Sequence, residues 1–312
     1  MAKSGPKTVS PPARTDLAWK ISLRALLALS IGLGAAIGLW WVSRAVERTY
    51  LLAADPPQVV LKNRPAWMTD FLATQIAQSA RPRGAHSALD HDILRNMVHK
   101  LQTNPWVRQV RQVRRVFGRR PGDTLEIDCE YRTPVALVAW GLDYYLVDGD
   151  AVLLPEKFSP KDLPRVMFTG EGTQRQTNIR VVEAVKSQRP VEPGQKWAGA
   201  DLAAGLGLAR LLCGQSCAEE ITRINVENFA GRKDNTAPQL VLKTLYNTEI
   251  RWGEPVDAAF HVELAPQQKL KRLAAVREQY GRVDAKHSWL DIRFDRITCP
   301  VGESGSAEVT PQ

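Results

Sequence analysis

Residues Ala25–Val42 read ALLALSIGLGAAIGLWWV, eighteen consecutive apolar or small residues without a charge. At ~1.5 Å per residue a helix over them measures about 27 Å, enough to cross the hydrocarbon core of a bilayer. No later stretch is comparable. The reading is a single membrane-spanning helix, with all that follows on one side of it. Five bases precede the run (Lys3, Lys7, Arg14, Lys20 and Arg24) against the single acid Asp16, whereas Arg44 and Arg48 beyond it are partly offset by Glu47. Lys and Arg favour the cytoplasmic side, so the N-terminus is expected inside and the C-terminal bulk outside. Trp40 and Trp41 fall at the outer end, where indole rings favour the interface. A cleaved signal peptide, cut at Ser43-Arg44-Ala45, is the rival reading, but the apolar run exceeds the roughly 7–15 residues of a signal core. Ser30, Gly34 and Gly38 form a small-residue stripe that suits close approach of a second helix. Glycines are also ordinary in membrane helices, so both readings of the stripe stay open.

The chain has 312 residues and a net charge of +9, of which the first 24 residues carry +4. The mildly basic remainder suits a domain beside anionic head groups or wall polymers rather than a nucleic-acid binder. Four cysteines are present: Cys129, Cys213, Cys217 and Cys299. An extracytoplasmic location permits disulfides. Cys213 and Cys217 bracket Gly-Gln-Ser and are a candidate pair, with two free thiols as the alternative. Cys129 lies in the alternating run Leu125, Ile127, Cys129, Tyr131 and reads as a small core residue.

Residues 1–24 are polar and expected to be a disordered cytoplasmic tail, with the anchor over 25–44. Asp55-Pro56-Pro57 ends the first helix. A first domain, 56–131, follows. Gln58–Leu61 reads as a strand, and Trp67–Gln78 and Asp90–Gln102 as helices on their apolar spacing, the second with Asp90 as N-cap. Trp106–Val116 reads as a strand, although its valines at 107, 110, 113 and 116 have period three, which fits neither a strand nor a helix. Thr124–Tyr131 alternates cleanly. The second domain, 134–297, is expected to hold a meander (Val135–Trp140, Tyr144–Val147, Ala151–Leu154), with a two-residue turn at Asp148-Gly149. Further strands are expected at Arg165–Thr169, Ile221–Val226, Leu240–Leu245, Glu249–Trp252 and Trp289–Phe294, and helices at Asp201–Cys213 and Pro266–Tyr280. In the last helix Leu270, Leu273, Val276 and Tyr280 are read as buried, and Lys269, Lys271, Arg272 and Arg277 as solvated. Residues 298–312 read as a polar tail. The fold class is α+β: a membrane helix, a β-α-α-β-β unit, then a larger β/α unit with a mainly antiparallel sheet.

These residues resemble a family. Asn104-Pro-Trp-Val107 with Val110, then Thr124-Leu-Glu-Ile127, then Glu130-Tyr-Arg-Thr-Pro-Val-Ala136 is similar to the run that marks the bacterial cell-division protein FtsQ (DivIB in some lineages). Leu146-Val-Asp-Gly149, Ile250-Arg-Trp-Gly253 and Leu290-Asp-Ile-Arg293 extend the likeness. Tyr131-Arg132 stands one place shifted from the family's Glu-Arg, and Gly118–Asp123 is longer than usual. The resemblance is weakest over Pro155–Ala200. It implies a POTRA domain after the anchor and a β domain whose last strand engages small single-span proteins of the FtsL and FtsB type. On this chain that strand carries Trp289, Leu290, Ile292, Arg293 and Phe294.

The search for chemistry finds no nucleophile elbow, zinc-protease helix or phosphate loop. His86 and His91, around Asp90, read as loop histidines. Cys213 and Cys217 lack the two-residue spacing of a redox motif. Six arginines (108, 111, 114, 115, 119 and 120) fall within thirteen residues. They read either as a site for an acidic partner, anionic lipid or wall polymer, or as a solvated strand edge. The expected function is a non-enzymatic, cofactor-free scaffold of the division complex in the cytoplasmic membrane, enriched at the septum. It would recruit single-span partners and septal wall synthases by strand addition. The alternatives are a POTRA-bearing export or chaperone accessory that binds unfolded envelope polypeptides, and a wall hydrolase.

Overall fold

The N-terminal helix α1 (Arg14–Tyr50) is 37 residues long. It contains a 22-residue stretch, Arg24–Ala45, long and apolar enough to cross a membrane, none of it buried against the rest of the protein. This computed structural model describes residues 14–50, 57–82, 92–116, 124–163, 165–170, 173–258 and 262–300. The Asp90 cap, His86, His91, Arg119 and Arg120 lie outside the described residues.

After α1 come β1 (Gln58–Lys62), α2 (Asp70–Ala80), α3 (Asp92–Gln102), β2 (Val107–Val116) and β3 (Thr124–Tyr131). Helix α2 starts three residues later than its apolar spacing suggested. Thr69 caps it, its hydroxyl accepting the Leu72 N–H at 3.3 Å, which leaves Trp67 in the preceding turn, ring to ring with Trp106 at 5.8 Å. The sheet order is β1-β3-β2, with β1 parallel and β2 antiparallel to β3.

The period-three valines of β2 have a geometric cause. Val107, Val110 and Val113 lie opposite Tyr131, Cys129 and Ile127, the inward residues of β3. Register shifts between Val107 and Gln109 and between Val110 and Gln112 skip Arg108 and Arg111. A bulge adds one residue to one strand, so each turns a spacing of two into three and keeps the valines on the core side. No shift follows Val113, so Val116 opposes Thr124 instead.

The second part of the chain holds β4 (Pro134–Trp140), β5 (Asp143–Asp148), β6 (Leu153–Phe158), β7 (Arg165–Gly170), β8 (Thr173–Asn178), β9 (Arg180–Glu183), α4 (Ala200–Leu211), β10 (Ile221–Asn225), β11 (Leu240–Thr244), β12 (Glu249–Gly253), α5 (Pro266–Tyr280) and β13 (Trp289–Asp291). Strands β7 and β8 form a separate hairpin; the other eight make one sheet in the order β13-β12-β11-β10-β9-β4-β5-β6. The sheet is mixed. Four neighbouring pairs are antiparallel, and three are parallel. The short β9 sits between β4 and β10, parallel to both, and joins the antiparallel runs β4-β5-β6 and β10-β11-β12.

The two faces of this sheet have different cover. Ala136, Val138, Val182, Ile224, Leu242, Ile250 and Leu290 pack with Leu202 and Leu206 of α4 and Leu270, Leu273 and Val276 of α5 in one cluster. On the other face Leu137, Leu146, Leu154, Ile179 and Val181 belong to the cluster that includes Ile76, Met97, Leu101, Trp106 and Ile127. The small sheet and its helices therefore share a core with one half of the large sheet. Polar contacts reinforce the junction. Arg132 pairs with the buried Asp148 at 2.7 Å, whose other oxygen accepts the Asp150 and Val152 N–H groups at 2.9 and 2.7 Å. Arg108 reaches Asp150 at 2.9 Å. The turn here is longer than two residues: Asp148 donates to the Val152 carbonyl, and the positive φ falls on Ala151.

Candidate functional site

Strand β13 lies at one end of the large sheet. It pairs in parallel with β12, Trp289 opposite Glu249 and Leu290 opposite Ile250. The Glu249 N–H donates to the Ser288 carbonyl at 3.1 Å and the Ile292 N–H to the Arg251 carbonyl at 3.4 Å. Residues 288, 290 and 292 thus turn their backbone toward β12, and 289, 291 and 293 turn theirs outward. Much of that outward row is occupied. Asp291 donates to the Thr298 carbonyl at 2.8 Å and accepts the Thr298 N–H at 3.1 Å, and the Arg293 carbonyl accepts the Leu264 N–H at 2.8 Å. The Arg293 N–H donates to the Asp291 carboxylate at 3.1 Å.

The five residues singled out on this strand separate into three roles. Leu290 and Ile292 are fully buried in the cluster under α4 and α5, so their side chains have no surface for a partner. Trp289 is half-buried on the face opposite Leu290, with the Arg251 guanidinium 4.0 Å from its ring centroid. Phe294 is 48% exposed. Arg293 grips Asp291, Nη2 to Oδ2 at 2.8 Å, and donates to the Thr236 carbonyl at 3.3 Å. Its hydrogen bond to that carboxylate raises the guanidinium pKa further. Strand β13 ends at Asp291 rather than Phe294.

Beneath this edge lies a network that the sequence did not announce. Lys269, expected in solvent, is 1% exposed. Its ammonium donates to the Trp252 carbonyl and to the Glu263 carboxylate, both at 2.7 Å. The same carboxylate oxygen accepts the Glu254 N–H at 3.0 Å. Gly253 makes room: its φ is +93°, and a Cβ there would collide with the Glu263 carboxylate. A buried ammonium persists only when paired and hydrogen-bonded, and its partner comes from outside α5, so helical spacing alone held no sign of it. Arg277 is also engaged, donating to the Ser216 carbonyl and to Glu219 at 3.1 Å.

The opposite end of the sheet, β6, is closed differently. Leu153 uses both outward backbone groups on Gln195 and Gly194, at 3.0 and 2.7 Å, and Pro155 has no N–H to offer.

Of the four described arginines of the cluster, Arg108, Arg111 and Arg114 are engaged by carboxylates of β3. Arg108 and Arg111, the two bulge residues, both reach Glu130, at 3.3 and 3.4 Å. Arg114 hydrogen-bonds Glu126, and this bond, with Lys62 nearby, holds the Glu126 carboxyl below its usual range. Arg115 lies opposite Leu125. Cys213 and Cys217 are both free thiols, the first exposed and the second buried, and burial pushes the Cys217 pKa upward. The buried Arg180 lies close to both and donates to the Leu212 and Ala218 carbonyls at 3.3 and 2.8 Å, the first freed at the end of α4 and the second at the end of the short turn Ser216–Ala218. Cys129 is buried as expected, its thiol pushed up to about 11 by desolvation. Gly34 and Gly38 face open space on α1.

No family model and no curated protein matches this chain.

Proposed function

We propose that this protein is a non-enzymatic scaffold of the bacterial division complex, of the FtsQ type. In this reading α1 is a signal anchor with its N-terminus in the cytoplasm, β1 through β3 with α2 and α3 are a POTRA domain, and the eight-stranded sheet is the partner-binding β domain. The observation that carries the reading is the position of β13. Strand β13, which carries the first two residues of the Leu290-Asp-Ile-Arg293 run, is terminal in its sheet, and Trp289 lies on the face turned away from the Leu290 core. The charge asymmetry around α1 supports the orientation, and the β-α-α-β-β order after α1 supports the POTRA reading.

The mechanism is recruitment. A segment of a small single-span partner adds a strand outside β13, backbone to backbone, with Trp289 and Phe294 supplying side-chain contacts. The Thr298 segment occupies part of that row, so a full-length added strand displaces residues 298–300. Through such partners the scaffold would hold septal wall synthases at the division site. Depletion combined with imaging of a fluorescently tagged chain tests the proposal. The expected result is filamentous cells on depletion and a band at midcell. Normal division with the tag spread evenly over the envelope would refute it, and capture of generic unfolded envelope polypeptides would favour an export accessory.

A further inference from the structure

The face of the large sheet that bears Trp289 changes character at β9. In register across four strands run Leu146, Leu137, Val181 and Arg223, and Lys243 follows Arg223 on β11. The first three are buried in the core shared with α2 and α3. From Arg223 onward no residue of β10 to β13 belongs to that core, and the row turns charged: Arg223 and Lys243 are followed by Glu249 opposite Lys243 and by Trp289 opposite Glu249. A cleft of about 570 Å³ lies at this boundary, within the roughly 300–1,000 Å³ of small-ligand sites. Its apolar side is formed by Leu163, Ile179 and Val181, and its polar side includes Lys161, Arg223 and Lys243.

The lining carries three cations and no carboxylate. Glu183, beside it, is hydrogen-bonded to Arg223 and 3.3 Å from Lys243, and Glu227 also acts on Lys243. The Arg223 side chain is 41% exposed, leaving part of the guanidinium open to solvent. Lys161 is exposed and has no carboxylate partner among the described residues. Thr222, Thr244 and Asn247 add uncharged hydrogen-bonding groups along the lining.

We propose that this cleft binds a short acidic peptide segment in extended form. Directly opposed residues on neighbouring antiparallel strands are ~5 Å apart, which sets the spacing at the base of Arg223 and Lys243. Side chains on the same side of an extended peptide recur every ~6.8 Å, a distance that long flexible cations bridge. Alternate carboxylates would meet the cations, while the residues between them, which an extended chain turns to the other side, would meet the half-buried Leu163. A second copy of the chain is disfavoured by its net positive charge. The proposal is independent of the division reading, since the cleft lies on β9 to β11 and uses no residue of β13.

The test is fluorescence anisotropy with full-length protein in detergent micelles. The probes are fluorescein-labelled Gly-Glu-Leu-Glu-Leu-Gly and its Gln-for-Glu counterpart. The acidic peptide is expected to bind and the neutral one not. The double variant Lys161→Gln/Lys243→Gln should weaken binding roughly three- to tenfold, the range for two exposed charge pairs. It should leave the melting temperature unchanged, because Glu183 keeps Arg223. If the double variant unfolds, the exposed Lys161→Gln alone decides. Equal binding of both peptides, no binding at millimolar peptide, or unchanged affinity in the lysine variants would overturn the proposal. So would displacement by equimolar inorganic phosphate, which would make the cleft a small-anion site.

Discussion

Lys269 shows most sharply how one side chain can hold several elements. Its ammonium ties α5 to the Trp252 carbonyl of β12 and to Glu263 of the preceding loop. Removing one member of a buried pair leaves the other charged and unpaired, at a cost of about 3–5 kcal/mol, whereas removing both costs far less. Lys269→Met is therefore expected to lower unfolding stability by about that amount in urea, and Lys269→Met/Glu263→Gln to regain at least half of it. A single variant that melts like the parent would contradict the assignment. Asp284 is fully buried. Burial acts to raise its pKa, but hydrogen bonds from Arg282, the Lys286 N–H and Thr248 outweigh it and hold the pKa below the ordinary 3.8. A depressed carboxyl stabilises the fold above its unfolded pKa and loses that contribution as pH falls toward the folded value. Stability should thus drop as pH falls below 3.8, and Asp284→Asn should be less stable at pH 7 with a flatter acid limb. An unchanged limb would refute this. Residues whose role follows from local pattern were readable: Cys129 from its alternation, Gly281 from its place after a helix. Lys269 and Asp284 were not, because each owes its burial to partners from elsewhere in the chain.

Among the elements, those with strong periodicity were legible, as with α5 and β3. Strand β2 was legible only in part, because two bulges at Arg108 and Arg111 changed its period. Strands β8 and β9 were missed, the first a polar Thr-Gln-Arg-Gln-Thr-Asn run and the second four residues long. Strand β9 exists because β4 and β10 flank it, a tertiary cause that no local window contains. For β13 the sequence named the strand, but its place at the sheet edge came from the order of pairing. The Asp291 N–H bonded to Thr298 at 2.8 Å gives that edge a measurable state. Truncation after Ile297 removes an acceptor in a bond worth ~1 kcal/mol, so exchange of the Asp291 amide should quicken about five- to tenfold. Unaltered exchange would mean that residues 298–300 do not cover the edge.

At the scale of the whole molecule, one apolar run, two sheets and a shared core make a body that an N-terminal helix can hold at a membrane. The helix was readable from length and hydropathy alone. The continuity of the core from α2 and α3 to β4 and β9 was not, since it depends on which face of the large sheet the smaller unit covers. Among the described residues that core ends at β9, and Trp289 stands on the same face at the end of the sheet. A terminal strand is what strand addition uses, and the account rests on β13 holding partners once the Thr298 segment gives way. The measurement that tests it most directly is co-purification from gently cross-linked cells, with a C-terminal-side tag and Trp289→Lys in parallel. The account predicts that small single-span coiled-coil proteins and wall synthases come down with the parent and are lost from the variant. Equal recovery from both, or recovery of neither class from the parent, would contradict it.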